Sequence, residues 1–426
     1  MIKILRCGQD KAEEILARSF PLESVEETVA QIIKNVRERG DAALREYSEK
    51  FDGVVIKDFL VSDGEINEAL MEIPAAFTAV LEKAAENIRR FHSFQLRKGY
   101  RIENPDGTVL GVKITPIEKV GLYVPGGTAP YPSTVLMDAI PAKIAGCSEI
   151  VMVTPPQKNG KVNPAILAAA HVAGVDRIFK VGGAQAVAAL AYGTESIPKV
   201  YKIVGPGNAY VAAAKKLVYG VVSIDAEAGP SEVLIVSDGK SDPAVLAADL
   251  LAQAEHDVMS SAVLITDSEK LASEVQQEIE KQLVLLEREN IARASIEGNG
   301  KIIVTDSIDE ALAIANEIAP EHLGLCVDDP FSCLDRVKNA GSIFLGRDAP
   351  EPLGDYFAGP NHTLPTGGTA KFGSPLSVDD FIKKSQYTYY TREALNRVSE
   401  DIAMFARQEG LTGHAASVLS RKKAEE

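Results

Sequence analysis

Val120-Gly121-Leu122-Tyr123-Val124, running into Pro125-Gly126-Gly127, is the stretch on which the fold turns. A short apolar run closed by turn residues makes a buried strand. Outward from it the pattern alternates. A helix is expected at Thr134–Ala145, a strand at Glu149–Val153, a helix at Ala165–Ala173 and a strand at Arg177–Val181. Gly182-Gly183 then opens a helix over Ala184–Ala191, and Pro206-Gly207-Asn208 opens another over Ala209–Val218. Apolar strands joined by helices predict βαβ units and a mainly parallel sheet, so the fold class is α/β. A second series follows, with strands at Glu232–Val236, Ala262–Thr266, Ile302–Val304, Leu323–Val327 and Ser342–Leu345 and helices at Pro243–Gln253 and Glu269–Leu286. It predicts a further α/β domain. The first 100 residues read as largely helical, with one long helix over Gly64–Phe94. After Ile382 the chain turns polar and Tyr-rich, and two short helices follow. That tail is too small for its own core and is expected to pack as an arm on a domain or a partner subunit.

At 426 residues, 46% hydrophobic and 25% charged, the chain can bury a large core over two or three domains. The net charge of −15 and the lack of a long basic block exclude nucleic acid as an expected partner. No apolar run approaches the roughly 20 residues needed to span a bilayer, and no signal peptide follows Met1, so no membrane partner and a cytoplasmic location are expected. Cys7, Cys147, Cys326 and Cys333 form no CxxC pair and read as reduced thiols.

Of only six histidines, four lie beside polar or acidic residues. Gln253 and His256 are three apart on an expected helix and share one side of it. Asp355 follows Pro352-Leu353-Gly354, and His414 follows Gly413 at a helix start. An amide oxygen, a carboxylate and two imidazoles could together hold zinc, and manganese or iron would also suit them. Glu321-His322, after Ala319-Pro320, makes a candidate acid/base pair, with His322 suited to accept an alcohol proton and Glu321 to activate water. Gly182-Gly183-Ala184-Gln185 and Gly205-Pro206-Gly207-Asn208 could approach a phosphate or ribose, although neither completes a dinucleotide fingerprint. With Tyr123 they could line the carboxyl ends of one set of strands, where open parallel sheets bind ligands.

The run Ile224-Asp225-Ala226-Glu227-Ala228-Gly229-Pro230-Ser231-Glu232-Val233-Leu234, continued by Ala252-Gln253-Ala254-Glu255-His256-Asp257, resembles the signature of the histidinol dehydrogenase family. So do Val181-Gly182-Gly183-Ala184-Gln185-Ala186, Pro320-Glu321-His322-Leu323, Gly354-Asp355-Tyr356, Asn361-His362-Thr363-Leu364-Pro365-Thr366 and Glu409-Gly410-Leu411-Thr412-Gly413-His414, in the family's order. The resemblance implies two incomplete Rossmann-like domains with small helical terminal extensions. It divides the chain into an N-terminal helical extension at 1–18, a first domain at 19–122 and 233–376, a second at 123–232, and an arm at 377–426 that reaches the partner's site. It implies one Zn2+ per subunit on Gln253, His256, Asp355 and His414, and Glu321 and His322 as the acid/base residues. Substrate contacts fall to Ser231, Gln253, His256, His322, Asp355, His362, Glu409 and His414, and NAD contacts to Tyr123, Gln185 and Asn208. The implied protein is a cytoplasmic homodimer that oxidises L-histidinol to L-histidine through L-histidinal, reducing two NAD.

Three other readings compete. A related NAD-dependent dehydrogenase of another small polar alcohol, such as a sulfonated diol, fits less well with Glu409 and His362, which suit a cationic amine and an imidazole. A metal-dependent hydrolase would turn over without NAD. A noncatalytic metal-binding scaffold would retain zinc and oxidise nothing.

Overall fold

The computed structural model describes residues 1–17, 25–126, 130–226 and 229–422. Gly127, Glu227 and Ala228, which belong to the motifs quoted above, lie outside the described residues. The chain divides into a large unit, Met1–Gln95 with Ile117–Phe381, and a small unit, Leu96–Pro116 with Ile382–Glu426.

In the large unit two parallel sheets share one winding. In the first, Lys119–Tyr123 is central. Glu149–Thr154 and Arg177–Lys180 extend one side, and Lys202–Val204 and Ser223–Ile224 the other. In the second, Glu232–Ser237 takes the same central place. Ser261–Thr266 and Lys301–Val304 lie to one side, and His322–Cys326 and Ser342–Leu345 to the other. Each sheet therefore runs 3-2-1-4-5 in its own strand order. That is the doubly wound dinucleotide-binding sheet without its sixth strand, as the resemblance implies.

Side-chain alternation sets the two faces of the first sheet. Val120 and Leu122 join the core formed with helices Pro132–Ala145 and Pro164–Ala173. Val151, Val153, Phe179 and Tyr123 join the opposite core, with helices Gly183–Tyr192 and Ala209–Val218.

The domain limits differ from expectation. Helices Glu26–Arg39 and Ala75–Ser93 contribute Val29, Ile32, Ile33, Leu81, Ala85 and Ile88 to these same two cores, so they cover the five-stranded sheet and not the six-stranded one. A boundary at 122/123 would also cut through the central strand Lys119–Tyr123. Helical periodicity reveals an apolar face but not which sheet that face meets. Residues 1–18 are not simply a helical extension. Lys3–Arg6 is a strand paired in parallel with Lys301–Val304, and it makes the second sheet six-stranded. An open sheet edge supplied the hydrogen bonds that decided that segment, with Ile2 buried in the core. The expected helix over Gly64–Phe94 is two helices, Asp63–Glu72 and Ala75–Ser93. Pro74 forces Ile73 into an extended conformation (ψ 133°), which ends the first of them.

The small unit holds an antiparallel sheet with Val109–Pro116 between Ile382–Tyr389 and Tyr100–Glu103. Helices Arg392–Gln408 and Thr412–Leu419 pack through Ala403, Ala406 and Ala415. The expected arm thus begins later than residue 377 and gains residues 96–116. Its strand Ile382–Tyr389 escaped sequence reading because Lys383, Lys384, Ser385 and Gln386 leave no apolar alternation, and nearly the whole strand is exposed. Among the described residues, no helix is long and apolar enough to cross a membrane.

Candidate active site

Glu321 and His322 stand at the N-terminal edge of the six-stranded sheet. The helix Ile308–Ile318 ends at Ala319, which takes a left-handed φ of 50°. For a residue with a Cβ this is a strained turn. It delivers Pro320 and Glu321 ahead of the strand that His322 begins. One residue, Glu232, clamps both side chains through its backbone. Its N–H donates to Glu321 Oε2 at 2.8 Å, and its carbonyl accepts from His322 Nδ1 at 3.0 Å. When the ring is neutral, its proton therefore sits on Nδ1 and its lone pair on Nε2. Nε2 is buried without a hydrogen-bond partner and lies 3.6 Å from Asp355 Oδ1. Ser231, the residue before this clamp, is half-buried.

Around His322 gather three carboxylates. Glu321 Oε2 is 3.7 Å and Glu351 Oε1 3.9 Å from Nδ1, with Asp355 on the far nitrogen. Burial alone would lower the His322 pKa, but Glu321, Glu351 and Asp355 outweigh it and raise it to about 10. Burial pushes the Glu321 carboxyl up to about 8 despite His322 and the Glu232 N–H. Burial likewise lifts Glu351 to about 7, against the pull of His322. Asp355 is the exception. Burial would raise it, but the His322 imidazole 3.6 Å away and the nearby His362 and His256 hold it below the ordinary range. Burial also keeps His256 and His362 below the usual imidazole value. A neutral imidazole is the ligating form.

The donor set fits a divalent cation. Ligand atoms of His256, Glu351 and Asp355 lie within 4.8 Å of one another. Gln253, fully buried at the end of helix Pro243–Ala254, meets Glu351 directly. Buried carboxylates packed this closely need a counter-charge, and a cation bound by nitrogen and oxygen donors would supply it. The structure thus brings together Gln253, His256, Asp355, Glu321 and His322. His362 Nε2 lies 3.3 Å from Thr134 Oγ1. Glu409 and His414 belong to the small unit, where both are exposed. Glu351 is the site residue that sequence reading missed. Its signal was its place four residues before Asp355, which puts both on one face of the short helix Glu351–Tyr356.

Tyr123 ends the central strand of the five-stranded sheet, and Gln185 and Asn208 follow the carboxyl ends of Arg177–Lys180 and Lys202–Val204. The chain leaves the central strand to one side and returns on the other, so the switch point falls between Lys119–Tyr123 and Lys202–Val204. Tyr123 and Asn208 flank it, at the place where such sheets bind nucleotides. The Tyr123 hydroxyl accepts from the Gly183 N–H at 3.0 Å. Asn208 Oδ1 caps helix Ala209–Val218 by accepting from Tyr210 and Val211 N–H, which leaves its amide NH2 available. The preceding Gly205 cannot be replaced without a shift, since a Cβ there would lie 2.2 Å from the Tyr123 carbonyl oxygen.

That Gly205 peptide is held from both sides. Lys215, 1% exposed, donates to the Gly205 carbonyl at 2.9 Å and pairs with Asp225, whose Oδ2 accepts the Gly205 N–H at 2.8 Å. Removing one partner strands a buried charge. Lys215→Met is therefore expected to destabilise the fold by about 3–5 kcal/mol, read as a lower urea midpoint at unchanged slope. A loss below about 1 kcal/mol would show that Asp225 finds another partner.

The sequence profile described as histidinol dehydrogenase matches residues 17–422. A histidinol dehydrogenase of Bacillus cereus is 55% identical over 404 residues, covering 95% of this chain and 94% of its own length. One from Clostridium acetobutylicum is 54% identical over 396 residues, covering 93% and 92%. The crystal structure of histidinol dehydrogenase from Elizabethkingia anophelis superposes with a TM-score of 0.94 at 38% identity, over 99% of this chain and 98% of that one. Likeness of this extent takes in both parallel sheets, the segments that carry the candidate site residues and the small unit: the chain belongs to the histidinol dehydrogenase family.

Proposed function

We propose that this chain is a zinc-dependent L-histidinol dehydrogenase that oxidises L-histidinol to L-histidine through L-histidinal, with reduction of two NAD, at the end of histidine biosynthesis. The observation that carries the reading is the buried Glu321–His322 pair, with its imidazole tautomer set by Glu232 and its free nitrogen beside Asp355. Gln253, His256, Asp355 and His414 would hold the metal. Tyr123, Gln185 and Asn208 would contact NAD. When bound, NAD accepts hydride and zinc anchors the imidazole and amine of the substrate.

The chain's own residues move the protons. His322 Nε2 takes the hydroxyl proton of the alcohol as hydride leaves its carbon, giving the aldehyde. Glu321 then takes a proton from water as the water oxygen adds to the aldehyde carbon, and protonated His322 returns its proton to the aldehyde oxygen, giving a gem-diol and a neutral imidazole. His322 accepts a gem-diol proton during the second oxidation, and the carboxylic acid forms. Ser231, His362 and Glu409 would bind the substrate with the residues already named. The four unpaired cysteines support a cytoplasmic setting. Exposed apolar side chains on the small unit, among them Phe405, Met404 and Tyr389, support a homodimer whose sites are completed across the interface.

The test is purified protein supplied with zinc, NAD and L-histidinol, following NADH and histidine together. Two NADH per histidine are expected, and no NADH from any zinc-loaded preparation would overturn the reading. Chelation is expected to abolish turnover reversibly while the circular dichroism of the fold persists. His256→Ala is expected to lose most bound metal, because it removes a nitrogen ligand. Normal zinc content in folded H256A would remove His256 from the ligand set.

A further inference from the structure

Gln253 poses a problem that its burial sharpens. A side-chain amide is nearly symmetric in shape, so its hydrogen-bond partners alone decide whether oxygen or nitrogen faces a given side. Gln253 is fully buried, so water cannot make the choice. Glu351, itself only 6% exposed, is the group against it. With the amide nitrogen towards Glu351, it donates to Oε1 at 3.0 Å and Oε2 at 3.2 Å. In the opposite orientation the amide oxygen would face a carboxylate and the nitrogen would face only donors.

We infer that Glu351 is a positioning residue: it holds the Gln253 nitrogen and so turns the amide oxygen towards the cation site shared with His256 and Asp355. The local sequence builds this in. Gln253 precedes His256 by three residues, at the end of helix Pro243–Ala254. Glu351 precedes Asp355 by four, on helix Glu351–Tyr356. One segment thus carries His256 and Gln253 and the other Asp355 and Glu351, and the Gln253–Glu351 contact joins the two segments to each other. Outer partners that orient a metal ligand typically matter about 10–100-fold in metal affinity.

The inference rests on the metal reading above, and the experiment separates the two. Zinc affinity is measured by competition with a chromophoric chelator, without substrate or cofactor, on wild type, Glu351→Ala, Gln253→Glu and the double variant. Wild type is expected to bind zinc, and E351A to bind it about 10–100-fold more weakly. A carboxylate at 253 presents oxygen whichever way it turns, so it needs no orienting partner. The E351A/Q253E double variant is therefore expected to recover to within a few-fold of wild type. That recovery distinguishes orientation from general structural damage and shows that the double variant folds. Q253E alone is expected to bind more weakly than the double variant, because it sets two carboxylates against each other. Wild type that binds no zinc overturns the metal reading and this inference together. Tight zinc binding by both wild type and E351A overturns the inference alone. A double variant as weak as E351A also overturns it, and would make Glu351 a ligand in its own right.

Discussion

Replacing His322 with asparagine is expected to slow both oxidations, by about 10²–10⁴-fold each, the range that a positioned general acid or base contributes. Replacing Glu321 with glutamine is expected to slow aldehyde oxidation to a similar degree and alcohol oxidation much less. Both substitutions keep the clamp on Glu232. Asparagine at 322 can still donate to the Glu232 carbonyl that now accepts from Nδ1, and glutamine at 321 can still accept from the Glu232 N–H through its carbonyl oxygen. In the proposed mechanism each variant loses the atom that moves a proton: the Nε2 lone pair in one, a basic carboxylate oxygen in the other. Each oxidation removes a proton from oxygen, but only the second consumes water. Supplying L-histidinol and L-histidinal separately, and measuring single-turnover NADH formation, resolves the two steps. Equal losses in both steps for E321Q would reduce Glu321 to an electrostatic role and leave every proton to His322.

The strands and helices of both parallel sheets were legible because apolar runs and turn residues alternate so regularly between 120 and 345. Even the expected strand at Ser342–Leu345 has the observed limits. The pair Gln253 and His256 was legible as a three-residue spacing, although helix Pro243–Ala254 ends before His256, and a turn in which the His256 N–H donates to the Gln253 carbonyl carries the chain on to it. Other features depended on contacts that no local pattern encodes. Lys3–Arg6 is a strand because Lys301–Val304 offers an edge almost 300 residues later. The helices of the first hundred residues show their apolar faces, but only the folded chain shows that those faces meet the five-stranded sheet. The acid/base pair adds a subtler case. Parallel sheets bind ligands at their carboxyl ends as a rule, and Tyr123 and Asn208 follow it. His322 instead begins its strand, at the amino edge, so the general rule locates one half of the proposed site and would have misplaced the other. Glu351 was passed over because it lies between two prolines in a segment that reads as loop. The helix Glu351–Tyr356 is what makes its spacing from Asp355 meaningful.

Mixed dimers built from two inactive subunits are expected to recover activity at one of their two sites. One subunit would carry His322→Ala and the other His414→Ala. Each parental homodimer is expected to be nearly inactive, the first for want of a base and the second for want of a metal ligand. The small unit motivates the experiment. Its helices share a core of little more than Ala403, Ala406 and Ala415, while Phe405 is 72% and Met404 62% exposed. So much apolar surface beside so small a core favours a docked state over a solvated one. The same unit carries Glu409 and His414 on its exposed surface. If the small unit completes the partner's site, one site of the mixed dimer receives both substitutions. The other receives an intact His322 from one chain and an intact His414 from its partner. Isolated heterodimers, separated by two different affinity tags, should then show about half the wild-type rate per dimer, because one of two sites is whole. If each site is built within one chain, every site keeps one defect and no activity returns. The two geometries differ by the whole activity of a site, so a partial loss of stability in either variant cannot mimic the result.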